Sequence, residues 1–161
     1  ILIIAIFLVL LLGLKEEKNY TPQSELKKLN VSISLKELYS EKNIFLNDLL
    51  LKNEFNLINI WASWCLPCRD EQSFLVDLSN QKNLQIIGLN YKDNDKNAEK
   101  FLIELNSPYK IILSDKDGTI AIEWGAYGVP ETFLIYNKKI VKKYIGPLNE
   151  NSLLEIKRMI K

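Results

Sequence analysis

The two cysteines of the chain, Cys65 and Cys68, are the residues whose type and spacing best suit chemistry. Such a pair serves as a redox-active dithiol, as half of a zinc site, or as a disulfide that only staples the chain. A zinc site would need carboxylates or a second chain for its other ligands, because the chain has no histidine. A disulfide across so short a loop would constrain the unfolded chain little. The pair therefore favours redox chemistry, with its own disulfide as the only cofactor and no metal.

The composition excludes several other classes of function. The absence of histidine excludes Ser-His-Asp and Cys-His catalysis, histidine metal sites and haem attachment through a Cys-x-x-Cys-His motif. Two cysteines cannot build a four-cysteine zinc site or an iron–sulfur cluster within one chain. Twenty-one Lys and Arg residues against 20 Asp and Glu residues give a net charge of +1, so we expect no nucleic-acid partner.

The predicted elements around the cysteines assign each thiol a role. Cys65 follows an apolar run of strand length at Asn56–Ala62 and precedes a predicted helix at Leu66–Leu78, whose first turn tolerates Pro67. At a helix N-terminus, unpaired backbone N–H groups and the helix dipole favour a thiolate. We therefore expect Cys65 to be the accessible nucleophile and Cys68, one turn into the helix, to be the buried resolving thiol.

The surroundings of the cysteines also indicate the direction of electron flow. The intervening Leu66-Pro67 offers a thiolate neither a cation nor a side-chain donor. Glu71 lies one helical turn after Cys68, where a carboxylate opposes thiolate formation. A destabilised thiolate is typical of a reductant toward its substrate. In the alternative interpretation, Glu71 is a solvated residue of the helix face.

The other elements predict an α/β fold in which a mixed sheet is covered by helices on both faces. The hairpin lysines 138, 139, 142 and 143 are interpreted as charges of an edge strand. The predicted strands are Val31–Leu35, Asn56–Ala62, Leu84–Tyr91, Tyr109–Leu113, Thr132–Tyr136 and Lys139–Ile145. The predicted helices are Leu66–Leu78, a segment from about 93 to 105, Ile120–Trp124 and Asn149–Ile160.

The first 14 residues are uncharged and apolar, and a polar segment follows them. As a helix they would span about 21 Å, less than the roughly 30 Å of a bilayer core. The sequence starts without Met, so we interpret residues 1–14 as a truncated membrane anchor, with a cleaved signal peptide as the main alternative. Residues 15–30 are then a polar tether, and residues 31–161 the folded domain. Either interpretation places that domain outside the cytosol.

Three segments resemble one family of proteins. They are NIWASWCLPC at residues 59–68, GLNYKD at residues 88–93 and GAYGVPETFLI at residues 125–135. In this order they resemble the DsbE/CcmG group, membrane-anchored thiol:disulfide interchange proteins of cytochrome c biogenesis. The resemblance covers about residues 31–161 and implies a thioredoxin-like fold with an N-terminal membrane-anchor helix.

The resemblance implies a substrate groove beside the two cysteines. Val129 and Pro130 match the cis-proline loop that faces the cysteines in this group. A cis proline would leave the backbone of Val129 free to pair with an extended substrate segment. Tyr127 and Trp64 match the aromatic residues of the groove walls.

The resemblance also implies an acidic environment for the dithiol. Glu71 and Glu131 match acidic positions near the active site of the group. Asn59 stands where ordinary thioredoxins carry a buried aspartate. An amide does not accept the proton that such an aspartate accepts, so this work would belong to Glu71, Glu131 or water.

The role implied is the reduction of apocytochrome c, or of its thiol chaperone, before haem is attached. Electrons would come from a membrane thiol reductase. The expected location is the bacterial inner membrane, with a single-pass anchor and the catalytic domain in the periplasm. Two rival functions stay open. One is a general periplasmic thiol reductase of the same fold, and the other is a non-catalytic module that binds unfolded apocytochrome around Pro130.

Overall fold

The computed structural model describes residues 30–40 and 42–161, and in this part of the chain seven strands form one mixed sheet. The strand order is β2-β1-β5-β4-β3-β6-β7. The strands are β1 (Ser34–Glu37), β2 (Asn43–Phe45), β3 (Phe55–Trp61), β4 (Leu84–Tyr91), β5 (Ile111–Asp115), β6 (Glu131–Tyr136) and β7 (Lys139–Ile145). The helices are α1 (Leu46–Leu50), α2 (Leu66–Asp70), α3 (Gln72–Ser79), α4 (Asp95–Leu105), α5 (Thr119–Glu123) and α6 (Glu150–Met159).

Strand β3 lies at the centre of the sheet. It pairs in parallel with β4 on one side and antiparallel with β6 on the other. All of its residues after Phe55 are buried. A strand with two paired neighbours and two covered faces has no exposed side, so a nearly continuous apolar run is what its position requires. The segment that leads to Cys65 is thus anchored in the middle of the molecule.

Helices cover both faces of the sheet. Leu57 of β3 packs in one apolar cluster with Leu75 of α3 and Ile156 of α6. Ile58, its neighbour, points to the opposite face and packs in a cluster with Ala121 of α5. The alternation follows from the two-residue period of a strand. This arrangement confirms the predicted α/β class with a mixed sheet between helices.

The beginning of the domain differs from the prediction. The predicted strand Val31–Leu35 is wrong in its bounds, because β1 starts three residues later. The carbonyls of Val31 and Ile33 accept hydrogen bonds from the first N–H groups of α1, at 3.0 and 3.1 Å. These backbone groups cap a helix and are not part of the sheet. Strand β2 and helix α1 themselves are too short for a periodic pattern and were not predicted.

The single helix predicted at Leu66–Leu78 is also wrong as one element. It is divided into α2 and α3, and Glu71 is the residue between them. Glu71 keeps a helical backbone conformation, but its side chain is fully buried. The contacts that hold this side chain inside are part of the candidate site.

The predicted anchor, residues 1–14, lies outside the described residues, as does the tether up to residue 29. The boundaries proposed at residues 14 and 30 therefore stay predictions. Within residues 30–40 and 42–161, none of the helices combines the length and apolar character needed to cross a membrane.

Candidate active site

Cys65 and Cys68 form a disulfide at the N-terminus of α2. Their Cα atoms are 5.3 Å apart. Cys65 is the N-cap residue, and its Sγ accepts a hydrogen bond from the backbone N–H of Cys68 at 3.1 Å. The same N–H stabilises a thiolate on Cys65 when the bond is reduced. Pro67 stands in the first turn of the helix, where a missing N–H costs nothing.

The disulfide is recessed between exposed side chains. Cys68 is 1% exposed, as expected for the resolving thiol, and Cys65 is only 3% exposed, less than predicted for a nucleophile. The flanking Trp64 and Leu66 are 57% and 71% exposed. The disulfide is thus almost fully covered, although both residues that flank Cys65 are exposed.

Asp93 fixes the segment in front of Cys65, and the sequence predicted no role for it at the site. One carboxylate oxygen accepts from the backbone N–H of Ser63 at 2.6 Å and from the amide of Asn90 at 2.9 Å. The other accepts from the Ser63 hydroxyl at 2.7 Å. The indole of Trp64 donates to the carbonyl of Lys92 at 3.1 Å. The available signal was the GLNYKD segment, which ends on this aspartate.

Glu71, three residues after Cys68, lies in a buried hydrogen-bond network. Its Oε1 accepts from the Asn59 amide, and its Oε2 accepts from the backbone N–H of Leu148, both at 2.8 Å. The Asn59 amide nitrogen also donates to the Thr132 hydroxyl at 3.0 Å. The Tyr109 hydroxyl donates to the Asn59 carbonyl oxygen at 2.7 Å. These contacts exclude the alternative that Glu71 is a solvated residue of the helix face.

The environment of Glu71 places its titration near neutral pH. Burial raises the pKa of Glu71 to about 7, although the hydrogen bonds from Leu148 and Asn59 act in the opposite direction. Both donors are neutral, so they compensate only part of the cost of burying a charge. Glu71 follows Cys68 by one helical turn, as predicted. A carboxyl group that exchanges its proton near pH 7 is suited to accept the proton of a thiol.

The loop before β6 faces the disulfide. Its Val129–Pro130 peptide bond is cis, as the resemblance implied. Val129 packs against the apolar cluster that contains both cysteines. The Pro130 carbonyl accepts from the Gly146 N–H at 3.0 Å, and the Val129 N–H donates to no acceptor among the described residues. Tyr127, in the same loop, is 67% exposed.

Glu131 lies on the other face of the sheet from Glu71. It pairs in register with Ile60, whose side chain belongs to the cluster of α5, whereas Asn59 pairs with Thr132 on the opposite face. One oxygen of Glu131 accepts from the N–H groups of Tyr127 and Gly128, at 2.6 and 3.1 Å. Of the two candidate proton acceptors, the structure thus places only Glu71 beside Asn59.

Lys143 belongs to the edge strand β7, as predicted, but its charge is buried and paired. Its side chain is 9% exposed, and its Nζ lies 2.8 Å from Glu131 Oε2. Lys142 is a partly exposed residue that pairs with Glu155 of α6 at 2.9 Å. As for metals, residues 30–40 and 42–161 contain no group of three or more His, Cys, Asp or Glu side chains placed to hold one.

The comparisons with known proteins agree with this geometry. Residues 21–159 match the family model described as Redoxin. The chain is 45% identical over 111 residues to the thiol:disulfide interchange protein CycY of Rhizobium leguminosarum bv. viciae, which covers 68% of this chain and 60% of the relative. It is 35% identical over 150 residues to the thiol:disulfide interchange protein DsbE of Pseudomonas fluorescens biotype C, covering 92% and 82%.

The chain spans less than two thirds of some of these relatives, CycY among them. Among solved structures, a putative thiol:disulfide interchange protein DsbE from Chlorobium tepidum superposes with a TM-score of 0.68 at 22% identity, covering 83% of this chain and 96% of that one. At this identity the likeness shows the fold, and it confirms the thioredoxin-like prediction. The chain belongs to the Redoxin family and, within it, to the DsbE-type thiol:disulfide interchange proteins.

Proposed function

We propose that this chain is an extracytoplasmic, membrane-tethered reductant of protein disulfides, and that its substrate is apocytochrome c or the thiol chaperone of apocytochrome c. One observation carries the proposal. A Cys-x-x-Cys disulfide begins helix α2, with the Cys68 N–H directed at Cys65 Sγ and the buried Glu71 one turn further on. The arrangement supplies a nucleophile, a resolving thiol and a proton acceptor.

The reaction begins with the reduced protein. The Cys65 thiolate attacks one sulfur of the substrate disulfide, a mixed disulfide forms, and the other substrate sulfur leaves as a thiolate. Cys68 then gives its proton to ionised Glu71 and attacks Cys65. The second substrate sulfur leaves, so the substrate has gained two electrons and the Cys65–Cys68 disulfide is closed. A membrane thiol reductase is the donor that we propose for resetting it.

The electrostatics around the dithiol support a reductant over an oxidant. A strong oxidant stabilises its thiolate and hence its reduced form. Here Leu66 and Pro67 carry no charge. Glu71 places a buried carboxylate one helical turn after Cys68. Negative charge beside the dithiol disfavours thiolates, which favours the closed disulfide and electron transfer to the substrate.

The loop around Pro130 supports an extended polypeptide as the substrate. Val129 packs against the disulfide cluster, and its N–H, which has no acceptor among residues 30–40 and 42–161, is available to pair with a passing backbone. The exposed Tyr127 and Trp64 offer apolar surface to side chains on either side of a cysteine. An unfolded apocytochrome segment meets both requirements. The choice of this substrate, the donor and the membrane tether rests on the resemblance to the DsbE/CcmG group.

Trapping of the mixed disulfide tests the proposal. In the Cys68→Ala variant the first step proceeds and the second does not, so the substrate stays attached to Cys65. The full chain with this substitution is expressed in a bacterium that makes c-type cytochromes, and its adducts are identified by mass spectrometry. The matched control is Cys65→Ala with Cys68 intact, which is expected to trap at least tenfold less.

Each outcome of the trapping experiment has a definite meaning. An adduct with a protein that carries a Cys-x-x-Cys-His motif, or with a dedicated thiol chaperone, supports the proposed function. Adducts with many unrelated secreted proteins would replace it with a general thiol reductase. No adduct from an exported, folded variant would exclude a disulfide-exchange role and leave the binding module.

A further inference from the structure

Lys143 of β7 joins three parts of the loop that faces the disulfide. Its Nζ lies 2.8 Å from Glu131 Oε2 and donates to the carbonyl of Gly125 at 2.7 Å. The same ammonium group lies 4.4 Å from the ring centroid of Tyr127, a cation–π distance. Glu131 in turn accepts from the backbone N–H groups of Tyr127 and Gly128. One buried ion pair thus holds residues 125, 127 and 128.

An irregularity of the sheet places Lys143 inside the protein. The β6–β7 register shifts between Leu134 and Ile135, so Ile135 pairs with Ile140 and Leu134 with Lys142. Val141 is left as an extra residue, and such a bulge reverses the faces that follow it. Lys143 therefore lies on the same face of the sheet as Ile140. Without the bulge, strict alternation would place Lys142 on that face instead. Its partner in register is Phe133, whose ring it also approaches to 5.4 Å.

The free-energy cost of burying this ion pair favours a structural role for it beyond filling space. Removing two charges from water is expensive, and apolar residues of similar size fill such a space at no greater cost. A buried pair does, however, fix geometry through directed hydrogen bonds. Here the directed bonds of Lys143 and Glu131 end on the loop that carries Val129 and Tyr127. The pair thus contacts the loop at Gly125, Tyr127 and Gly128.

We propose that Lys143 is a positioning residue that holds the Gly125–Pro130 loop in the shape that receives the substrate backbone. It takes no part in the sulfur chemistry. Its effect is on the affinity for extended peptide disulfides and not on the reactivity of Cys65. This inference deepens the proposed function and rests on it.

The kinetic test compares two oxidised substrates. One is a synthetic peptide that contains a Cys-x-x-Cys disulfide, and the other is 5,5′-dithiobis(2-nitrobenzoate), which is too small to use the loop. Lys143→Met keeps most of the side-chain volume and loses the charge. We expect it to raise KM for the peptide at least tenfold and to leave kcat and the rate with the small disulfide within twofold of the wild type.

Two variants serve as controls. Lys143→Arg keeps a cation that can donate to Glu131 and Gly125, so it should restore the peptide KM to within threefold of the wild type. Lys142→Met removes a neighbouring charge whose partner Glu155 is partly exposed, and it should leave both substrates unchanged. An unchanged peptide KM in Lys143→Met, or an equal change for both substrates, would overturn the inference.

Hydrogen exchange separates this inference from the proposed function. In Lys143→Met the amides of Tyr127 and Gly128 should exchange at least tenfold faster, while those of β3 stay as slow as in the wild type. This readout holds even when the wild type does not reduce the peptide, a result that would count against the proposed function alone. Unchanged exchange at Tyr127 and Gly128 would refute the positioning role.

A double variant keeps the test decisive should an unpaired Glu131 prevent folding. Lys143→Met combined with Glu131→Gln carries no charge at either position, and the new amide oxygen still accepts from Tyr127 and Gly128. The bond to the Gly125 carbonyl is nevertheless lost. We expect this variant to fold and still to show a raised peptide KM, and a wild-type KM would contradict the role of Lys143.

Discussion

Glu71 and Glu131 are both buried, yet their partners give them different chemistry. Glu131 has a cation, Lys143, at 2.8 Å. Glu71 receives two hydrogen bonds from neutral groups, the Asn59 amide and the Leu148 N–H. A buried carboxylate without a cation gains protons more readily than one in water. Burial accordingly raises the pKa of Glu71, which follows Cys68 by one helical turn, to about 7.

The Glu71→Gln substitution tests the raised pKa of Glu71. Because burial raises the pKa of Glu71 to about 7, folding favours the protonated form. Its contribution to stability is fully present below about pH 4.5 and is lost as the pH rises through 7, in all about 3 kcal/mol. Urea denaturation of the oxidised protein measures the change. Between pH 4.5 and pH 8, we expect the free energy of unfolding of the wild type to fall by about this amount relative to that of Glu71→Gln.

The comparison removes other contributions to the same titration. Burial also raises the pKa of Asp115, but this group is present in both proteins and cancels in the difference. The amide introduced by Glu71→Gln turns its own N–H groups toward a hydrogen-bond donor, so the variant carries a constant penalty that does not depend on pH. Glu99→Gln, at an exposed position of α4, serves as the control and should follow the wild type. Parallel pH profiles for wild type and Glu71→Gln would contradict the assignment.

Asp93 supports the segment before Cys65, and its removal should be costly. Burial alone would raise the pKa of Asp93, but hydrogen bonds from Asn90, Ser63 and Asn94 outweigh it and lower the pKa below its usual range. The stability that these bonds provide is present above about pH 4 and is lost as the pH falls further. Asp93→Asn keeps one acceptor oxygen and turns an N–H group toward the donors.

We expect Asp93→Asn to lower the free energy of unfolding at pH 7 by about 1–2 kcal/mol. Urea denaturation measures the change. Asp95→Asn is the control, since Asp95 forms an exposed ion pair with Lys116, and its effect should stay below about 1 kcal/mol. Equal effects of the two substitutions would show that Asp93 is not a structural support of the site.

Among the secondary-structure elements, the sequence predicted the long buried strands and the amphipathic helices well. Strand β4 and strand β7 have the predicted bounds, and β3 differs by one residue at each end. Helix α6 lies between the predicted ends Asn149 and Ile160, which are its caps. In these segments the hydrophobic period is carried through seven or more residues, which is long enough to distinguish a strand from a helix.

The parts that sequence reasoning missed depend on contacts between distant residues. The buried position of the Glu71 side chain follows from bonds to Asn59 and Leu148, which are 12 and 77 positions away. The inward position of Lys143 follows from one extra residue in β7, which alternation along the strand does not reveal. For the site, residue type and spacing alone predicted the roles of the cysteines and of Glu71, and the resemblance added the Pro130 loop, Asn59 and Glu131. It did not supply Asp93, Lys143 or Tyr109, whose roles become visible only in three dimensions.

Gly88 shows how closely β4 packs against the aromatic side chains of the site. A Cβ atom at this position would lie 2.9 Å from Trp61 Nε1 and 3.0 Å from Tyr109 Cγ. The rings of Trp61 and Tyr109 are stacked with centroids 5.4 Å apart, and Tyr109 also bonds to Asn59. A methyl group at position 88 must therefore displace rings that support the network of Glu71.

We expect Gly88→Ala to destabilise the protein by about 1–3 kcal/mol in urea denaturation, the usual cost of overpacking. Gly128→Ala is the matched control, because a Cβ atom there would have no neighbour within 4 Å. This control should change the free energy of unfolding by no more than about 0.5 kcal/mol. A Gly88→Ala variant as stable as the control would mean that the rings move aside freely.

At the scale of the whole molecule, the site is assembled at one end of the sheet. Strands β3 and β4 are parallel, so the segment with the cysteines and the loop with Asp93 leave the sheet at the same end. Strand β6 is antiparallel to β3 and starts beside Ile60, which brings the Pro130 loop to the same end of the sheet. The loop after β7 adds Leu148 and its bond to Glu71. The mixed sheet thus gathers groups from four distant parts of the chain around one disulfide.

The proposed function requires that this disulfide be reversible and reducing. The most direct test is its reduction potential, measured by equilibrating the protein with thiol buffers and quantifying both forms after acid quenching and alkylation. We expect a value closer to the roughly −270 mV of thioredoxin than to the roughly −120 mV of DsbA. A value near about −120 mV, or a pair that does not interconvert until the protein unfolds, would contradict the proposed function.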